Sequence, residues 1–233
     1  MCGIAGFYSS IDLKVDFNFV IDRISESIFH RGPDDMGFYL SSDNRLALIH
    51  RRLSILDLSK AGHQPMVSQD SRYTIVFNGE IYNHLSLRVE LEKNNDIQWI
   101  GQSDTETLLK GIEFWGVEET VKRCVGMFAF VLWNELDRTL TLCRDRVGEK
   151  PLYYGICNGV FLFGSELKAL RVHPAFDRTI DMTSVALMLR YKNVPGHRSI
   201  YKNINKLLPG TILTVNVDNL YDGLTDITAT EFD

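Results

Sequence analysis

The sequence predicts an α+β fold in which antiparallel sheets carry helices on their outer faces. Two observations point there. Short β-rich runs dominate and come in hairpin-like pairs, while the helical stretches are grouped in blocks of their own. The regular strand–helix alternation that builds a doubly wound parallel sheet is missing. With 233 residues and 45% hydrophobic content, the chain suits one large domain with a sizeable core. It contains no internal repeat and no low-complexity segment.

The elements follow in order. "CGIAGFY" reads as an opening strand. In "FNFVIDRISESIF", Val20, Ile24 and Ile28 recur at helical spacing with Phe17 and Ile21 beside them, forming one apolar face. "LALIHRRLSI" and "YTIVFNG" are β-rich runs, and "EIYNHLSLRVELEK" continues the second as a helix. "SDTETLLKGIEFWG" has Ser103 and Glu106 at capping-box spacing, Leu108, Ile112 and Trp115 at helical intervals, and Gly116 as its stop. "MFAFVLWNELDRTLTLCRD" reads as two strands around a turn at 134–138. "LYYGICNGVFLFGSE" is a second hairpin turning at Asn158-Gly159. "SELKALRV" is a short helix and "TILTVNV" a last strand. The domain therefore spans residues 1–217. The tail, 218–233, carries five acids and no Lys or Arg, and reads as an acidic linker or the start of a further domain.

Composition excludes several classes of function. Net charge is −5 with no basic run, which argues against a nucleic-acid partner. The longest apolar run, 127–133, is far too short to span a bilayer, so no membrane association is expected. No basic region followed by an apolar region opens the chain, so the expected compartment is the cytoplasm and Cys2 is not a lipobox cysteine. Myristoylation needs Gly at position two, and Gly stands at three. Cys2, Cys124, Cys143 and Cys157 show no CxxC spacing and no clustering with His, so no metal site is predicted. The last three lie among apolar residues and read as small buried hydrophobes.

Cys2 stands directly behind Met1. A thiolate attacks carbonyl carbon well but needs a base for its proton. Removal of Met1 would free the α-amine of Cys2, whose ordinary pKa of about 7.7–8.0 leaves a neutral fraction near pH 7. Nucleophile and base then belong to one residue, with Gly3 leaving room for a ligand. The plainer reading is a buried strand cysteine. The loop "HRGPDDMGF" crowds charged and turn-forming residues together, as a site or as a solvated turn. Arg51 and Arg52 are strand neighbours, so one can face solvent and the other a pocket. An inward Arg suits a carboxylate, although two edge charges are the commoner case. Asn78-Gly79 offers a side-chain amide and an unhindered N–H, donors fit for an oxyanion hole, or else a hairpin turn. Asp104 is a helix cap or a partner for a ligand ammonium. Together these groups describe a ligand with an α-carboxylate, an α-amine and a distal carbonyl: glutamine or asparagine.

"MCGIAGF", "HRGPD", "HRRLSI", "NGEIYN", "SDTE", "GMFAF", "RDRVGEKPLYY" and "SELKAL" occur in the order seen in class II glutamine amidotransferases. From Met1 to about Val217 the chain resembles the N-terminal glutaminase domain of glutamine-hydrolysing asparagine synthetases. "HRGPD" points to that branch over the sugar-phosphate and phosphoribosyl branches. The resemblance implies an N-terminal-nucleophile hydrolase fold, a four-layer αββα sandwich. It implies that L-glutamine is hydrolysed to glutamate and ammonia through a Cys2 thioester. Carried over by position, Arg52 would hold the α-carboxylate, and backbone groups of Leu53, Ser54, Ile55 and Leu56 would line the pocket. Asn78 and Gly79 would be the oxyanion donors, and Glu80 and Asp104 would face the α-ammonium. Arg144, Asp145 and Arg146 would form a packed ion-pair network. The family continues into a synthetase domain whose Ser-Gly-Gly phosphate loop does not occur in these residues. No cofactor is therefore expected in this domain, and ATP and Mg only in a synthetase domain or subunit that receives the ammonia. An excised domain is favoured over a stand-alone subunit.

Two other readings stand beside this one. A chain that keeps Met1 lacks the free α-amine and would be a non-catalytic binding or regulatory module. A hydrolase for another amide, such as an acylase, would have no use for Arg52 and Asp104. The ammonia acceptor, aspartate or another, and the formation of a homo-oligomer are left open.

Overall fold

Runs of alternating or continuous Ile, Leu, Val and Phe become strands, and Gly, Asn and Asp turn them back. The computed structural model describes residues 1–12, 15–93, 95–222 and 227–232. In chain order it contains β1 (Gly3–Ser9), α1 (Phe17–Ser27), β2 (Asp35–Leu40), β3 (Leu46–Arg52), β4 (Met66–Val67) and β5 (Tyr73–Ile81). Then come α2 (His84–Glu92), α3 (Asp104–Trp115), α4 (Val117–Arg123), β6 (Gly126–Asn134) and β7 (Thr139–Arg144). The remainder is β8 (Tyr153–Cys157), β9 (Val160–Gly164), α5 (Leu167–Arg171), α6 (Met182–Tyr191), β10 (Ile204–Lys206), β11 (Thr211–Asn216) and β12 (Ile227–Glu231).

Two antiparallel sheets result, in the orders β10-β8-β9-β1-β3-β2 and β12-β11-β7-β6-β5-β4. Their facing sides bury Ile4, Tyr8, Leu48, Val76, Val131, Trp133 and Phe163 between them. The outer face of the first sheet packs Phe7 and Ala47 against Ile21 and Ile24 of α1 and Leu170 of α5. The outer face of the second packs Ile75, Phe77 and Phe130 against Leu87 of α2, Leu108 and Ile112 of α3, and Val121 of α4. Each such Val, Leu, Ile or Phe side chain contributes about 1.5–3 kcal/mol by leaving water. This is the expected sandwich of two antiparallel sheets between helices. Among the described residues, no helix is long and apolar enough to cross a membrane.

The two Asn-Gly pairs take different conformations. Asn158 and Gly159 both adopt positive φ, 49° and 78°, the turn that matches hairpin twist. Asn78 and Gly79 stay extended inside β5, paired with Ala129 and Phe128 of β6. Gly116 ends α3 at φ 79° as expected.

Several elements depart from the sequence reading. β2 lies in the stretch read as a loop; at its Gly37 a Cβ would come within 2.1 Å of the Gln64 carbonyl. α4 restarts directly after Gly116, where the sequence reading stopped. α6 buries only Ser184, so its apolar residues give no core-facing period. β11 is not the last strand, because β12 pairs along it from Val215↔Ile227 to Thr211↔Glu231. Residues 227–231 of the tail read as a linker thus form a sheet edge, and Phe232 is buried behind them. Residues 223–226 and 233 of that tail lie outside the described residues.

Candidate functional site

The sandwich brings the ends of three elements together. Cys2 precedes β1, Arg52 ends β3, and Asp104 opens α3, while Asn78, Gly79 and Glu80 lie in β5. All six line one cavity of about 110 Å³, together with Met1, Leu53, Ile55, Leu56 and Gln64. Ser54 does not join them. It turns to the neighbouring opening, where its N–H donates to Asp34 Oδ2 at 2.8 Å.

Cys2 is held at two points. Its Sγ accepts from the Leu53 N–H at 3.5 Å and lies 3.7 Å from the Leu53 carbonyl. Its own carbonyl accepts from Arg31 Nε at 2.9 Å. Burial pushes the thiol pKa up; the Leu53 N–H, the chain-terminal amine and Arg52 oppose this, and Asp104 adds to it. A thiol so placed needs a base to become a thiolate. Arg31 is buried and its second arm reaches Glu166 at 2.9 Å. Burial opposes ionisation of Glu166, but hydrogen bonds from Arg31, His30 and Lys168 outweigh it and hold the carboxyl at about 2. The crowded loop after α1 is therefore the clamp on the residue that carries the thiol.

The two arginines of β3 diverge as strand neighbours must. Arg51 points to α1, donating to Ser25 Oγ at 2.7 Å and lying over the Phe29 ring. Arg52 points inward and is 7% exposed. Its guanidinium donates to the carbonyls of Leu56 (3.1 Å), Ser59 (3.4 Å) and Asp57, and it has no carboxylate partner among the described residues. A Cβ on Gly62 would lie 2.1 Å from its Nη2, so a larger residue there would displace the guanidinium from this position. A buried cation held by carbonyls alone suits a ligand carboxylate.

The β5 wall supplies hydrogen-bond donors. Asn78 is 1% exposed, and its Nδ2 has no hydrogen-bond partner among the described residues. Along β5, Phe77 N–H donates to Gln64 Oε1 at 2.6 Å and Ile81 N–H to Asp104 Oδ2 at 2.9 Å. Strand alternation puts the Gly79 N–H on the same edge, between them. A Cβ on Gly79 would lie 2.4 Å from the Met127 carbonyl. Burial lowers the His50 pKa to about 4, and from the other sheet its neutral ring donates Nε2–H to the Phe77 carbonyl at 3.0 Å.

Ser103, not Asp104, caps α3, with its Oγ accepting from Glu106 N–H at 3.2 Å. The capping box stays half made, because Glu106 instead accepts from the N–H groups of Ile100 and Gly101. Asp104 is left to face the cavity. Burial raises its carboxyl to about 6, the Ile81 and Thr105 N–H groups pull it down, and the charge of Glu80 pushes it up. A buried carboxylate beside a second one is a natural place for an ammonium.

Among the residues of this wall that sequence reasoning missed are Gln64, Thr105 and Lys150. "HQP" and "GEKP" look like turns, and no hydrophobic period marks their inward side chains. Where an ion-pair network was expected of Arg144, Asp145 and Arg146, the bonds seen among the described residues go to the backbone. Arg144 donates to the carbonyls of Lys150, Leu207 and Gly148, and Asp145 accepts the N–H groups of 147–150. Arg146 donates to the carbonyls of Cys124 and Lys122. Together the first two fix the loop that delivers Lys150.

Comparison with known proteins supplies the context. A family described as "glutamine amidotransferase domain" matches residues 1–223. Asparagine synthetase (glutamine-hydrolyzing) 1 of Bacillus subtilis is 37% identical over 220 residues, covering 94% of this chain and 34% of that protein. Asparagine synthetase (glutamine-hydrolyzing) 3 of the same organism is 36% identical over 224 residues, covering 94% and 36%. The chain thus spans about a third of the length of these curated relatives. Among solved structures, glutamine phosphoribosylpyrophosphate amidotransferase from B. subtilis superposes with a TM-score of 0.69 at 18% identity. The superposition covers 100% of this chain and 49% of that one, and it establishes a shared fold.

Proposed function

The chain belongs to the glutamine amidotransferase domain family, and on that premise we propose that it hydrolyses the side-chain amide of L-glutamine at Cys2. The observation that carries the reading is the Asn78 amide. A buried N–H donor without a partner costs about 1–3 kcal/mol, and it is kept on the wall of the cavity that Cys2 and Arg52 share.

In this mechanism Met1 is removed and the freed α-amine of Cys2 takes the thiol proton. Sulfur bonds to the amide carbon of glutamine, and the carbonyl π electrons move to oxygen. Asn78 Nδ2 and Gly79 N–H bind that oxyanion. Its collapse breaks the C–N bond, and ammonia leaves with the proton held by the α-ammonium. Water then adds to the γ-glutamyl thioester with the amine again as base, and glutamate and the free thiol return. Arg52 holds the α-carboxylate, and Asp104 with Glu80 holds the α-ammonium. Leu53, Ile55 and Leu56 close the remaining wall. The ammonia passes to a synthetase domain or subunit of the asparagine synthetase type, the one place where ATP and Mg enter.

The test is glutamate release by Cys2→Ala. Activity should vanish while the melting temperature stays close to that of the parent, and retained turnover would sink the mechanism. Intact mass reads Met1 removal in the same samples, and turnover should scale with the processed fraction.

A further inference from the structure

The edge of β5 that faces the cavity outruns its strand neighbour. β4 pairs only with Ile75 and Thr74, through Met66 and Val67. Beyond that point the N–H groups on this edge belong to Phe77, Gly79 and Ile81. Side chains take the outer two: Gln64 Oε1 accepts from Phe77 at 2.6 Å, and Asp104 Oδ2 accepts from Ile81 at 2.9 Å. The middle one faces the cavity wall that Gly79 lines. Gln64 also reaches the other end of the site, where its Nε2 donates to Thr105 Oγ1 at 3.2 Å, next to Asp104. The side chain is 4% exposed, so both ends of its amide work inside the protein.

We infer that Gln64 is a positioning residue, whose buried amide replaces the missing strand rung at Phe77 and, through Thr105, sets the Gly79 N–H in register with the Asp104 carboxylate. The inference rests on the proposed roles of Gly79 and Asp104 and assigns Gln64 the distance between them. Those two groups meet opposite ends of one substrate, the amide oxygen and the α-ammonium, so an error in their spacing reaches both binding and chemistry. The amide is chemically required. Phe77 N–H needs an acceptor and Thr105 Oγ1 is offered a donor. Met offers neither, and Glu keeps the acceptor but sets a negative charge beside Asp104.

The experiment compares Gln64→Met and Gln64→Glu with the parent and with Cys2→Ala, as kcat and KM for glutamine corrected for folded fraction. Gln64→Met should lower kcat about ten- to hundredfold, the scale of a misplaced catalytic group, and raise KM. Gln64→Glu should restore kcat to within a few-fold of the parent while KM stays raised. A merely structural role would lower the melting temperature of both variants and leave kcat and KM of the folded fraction unchanged; that result overturns the inference. Equal loss of kcat in the two variants also overturns it. If Cys2→Ala still releases glutamate, the reading of the whole site fails. If Cys2→Ala is inactive and Gln64→Met behaves as the parent, only the role of Gln64 fails.

Discussion

Truncating Asn78 to alanine should damage activity and spare stability. In the folded protein the Asn78 Nδ2 is buried with no acceptor among the described residues, an arrangement that costs about 1–3 kcal/mol. Asn78→Ala removes the unpaired group and leaves space that merges with the existing cavity. Stability should therefore hold or rise, by up to a few degrees in melting temperature at about 2–4 °C per kcal/mol for a chain of this size. Catalysis should move the other way. Loss of one oxyanion donor costs about 2.7–4 kcal/mol of transition-state stabilisation, a 10²–10³-fold drop in kcat. KM should change little, because the bond is made mainly in the transition state. The assay is steady-state glutamate release from Met1-processed protein, with calorimetry on the same samples. A kcat within threefold of the parent, or a loss that merely tracks unfolded protein, would refute the assignment.

Arg52→Leu should raise KM for glutamine about ten- to a hundredfold, the worth of a charge-assisted bond of about 1.5–3 kcal/mol, and titration with glutamate should show a parallel loss. Asp104 gives a pH signature with a definite sign. Burial, together with the charge of Glu80, lifts its carboxyl from an ordinary 3.8 to about 6, so between these values the native state binds the proton that the unfolded chain has released. Stability therefore falls as pH rises through that window, by at most about 3 kcal/mol at 1.36 kcal/mol per unit. KM should rise as pH drops below about 6, where the neutral acid no longer attracts an ammonium. Asp104→Asn should flatten the stability curve, raise stability at pH 7 and weaken glutamine binding at every pH; a melting-temperature series with KM at matched pH tests all three.

The site was legible in the sequence where chemistry and period agree. Arg51 and Arg52 sit in an apolar run, so alternation alone sends them to opposite faces, and the structure does the same, with Arg51 packed against α1 where solvent was expected. Asp104 was harder to read, since it could cap the helix itself; the capping-box spacing pointed to Ser103, which does take the cap and release the aspartate. The two Asn-Gly pairs are the same dipeptide with different outcomes. At 158–159 the flanking strands return and the pair turns; at 78–79 the helix that follows leaves nothing to pair back, and β6 keeps the pair extended. Gln64, β2 and β12 escaped detection because tertiary pairing defines them. A two-residue β4 that stops short of Phe77 has no trace in a hydrophobic pattern, yet it creates the gap that Gln64 fills.

The grip of Arg31 on Cys2 lies on the carbonyl side of that residue. The bond that the proposed maturation would cut, between Met1 and Cys2, is on the other side. Nothing the clamp touches would leave with the methionine, so the hold on Cys2 does not depend on Met1. On the proposed mechanism, loss of Met1 would free the base at a residue whose other side is already fixed.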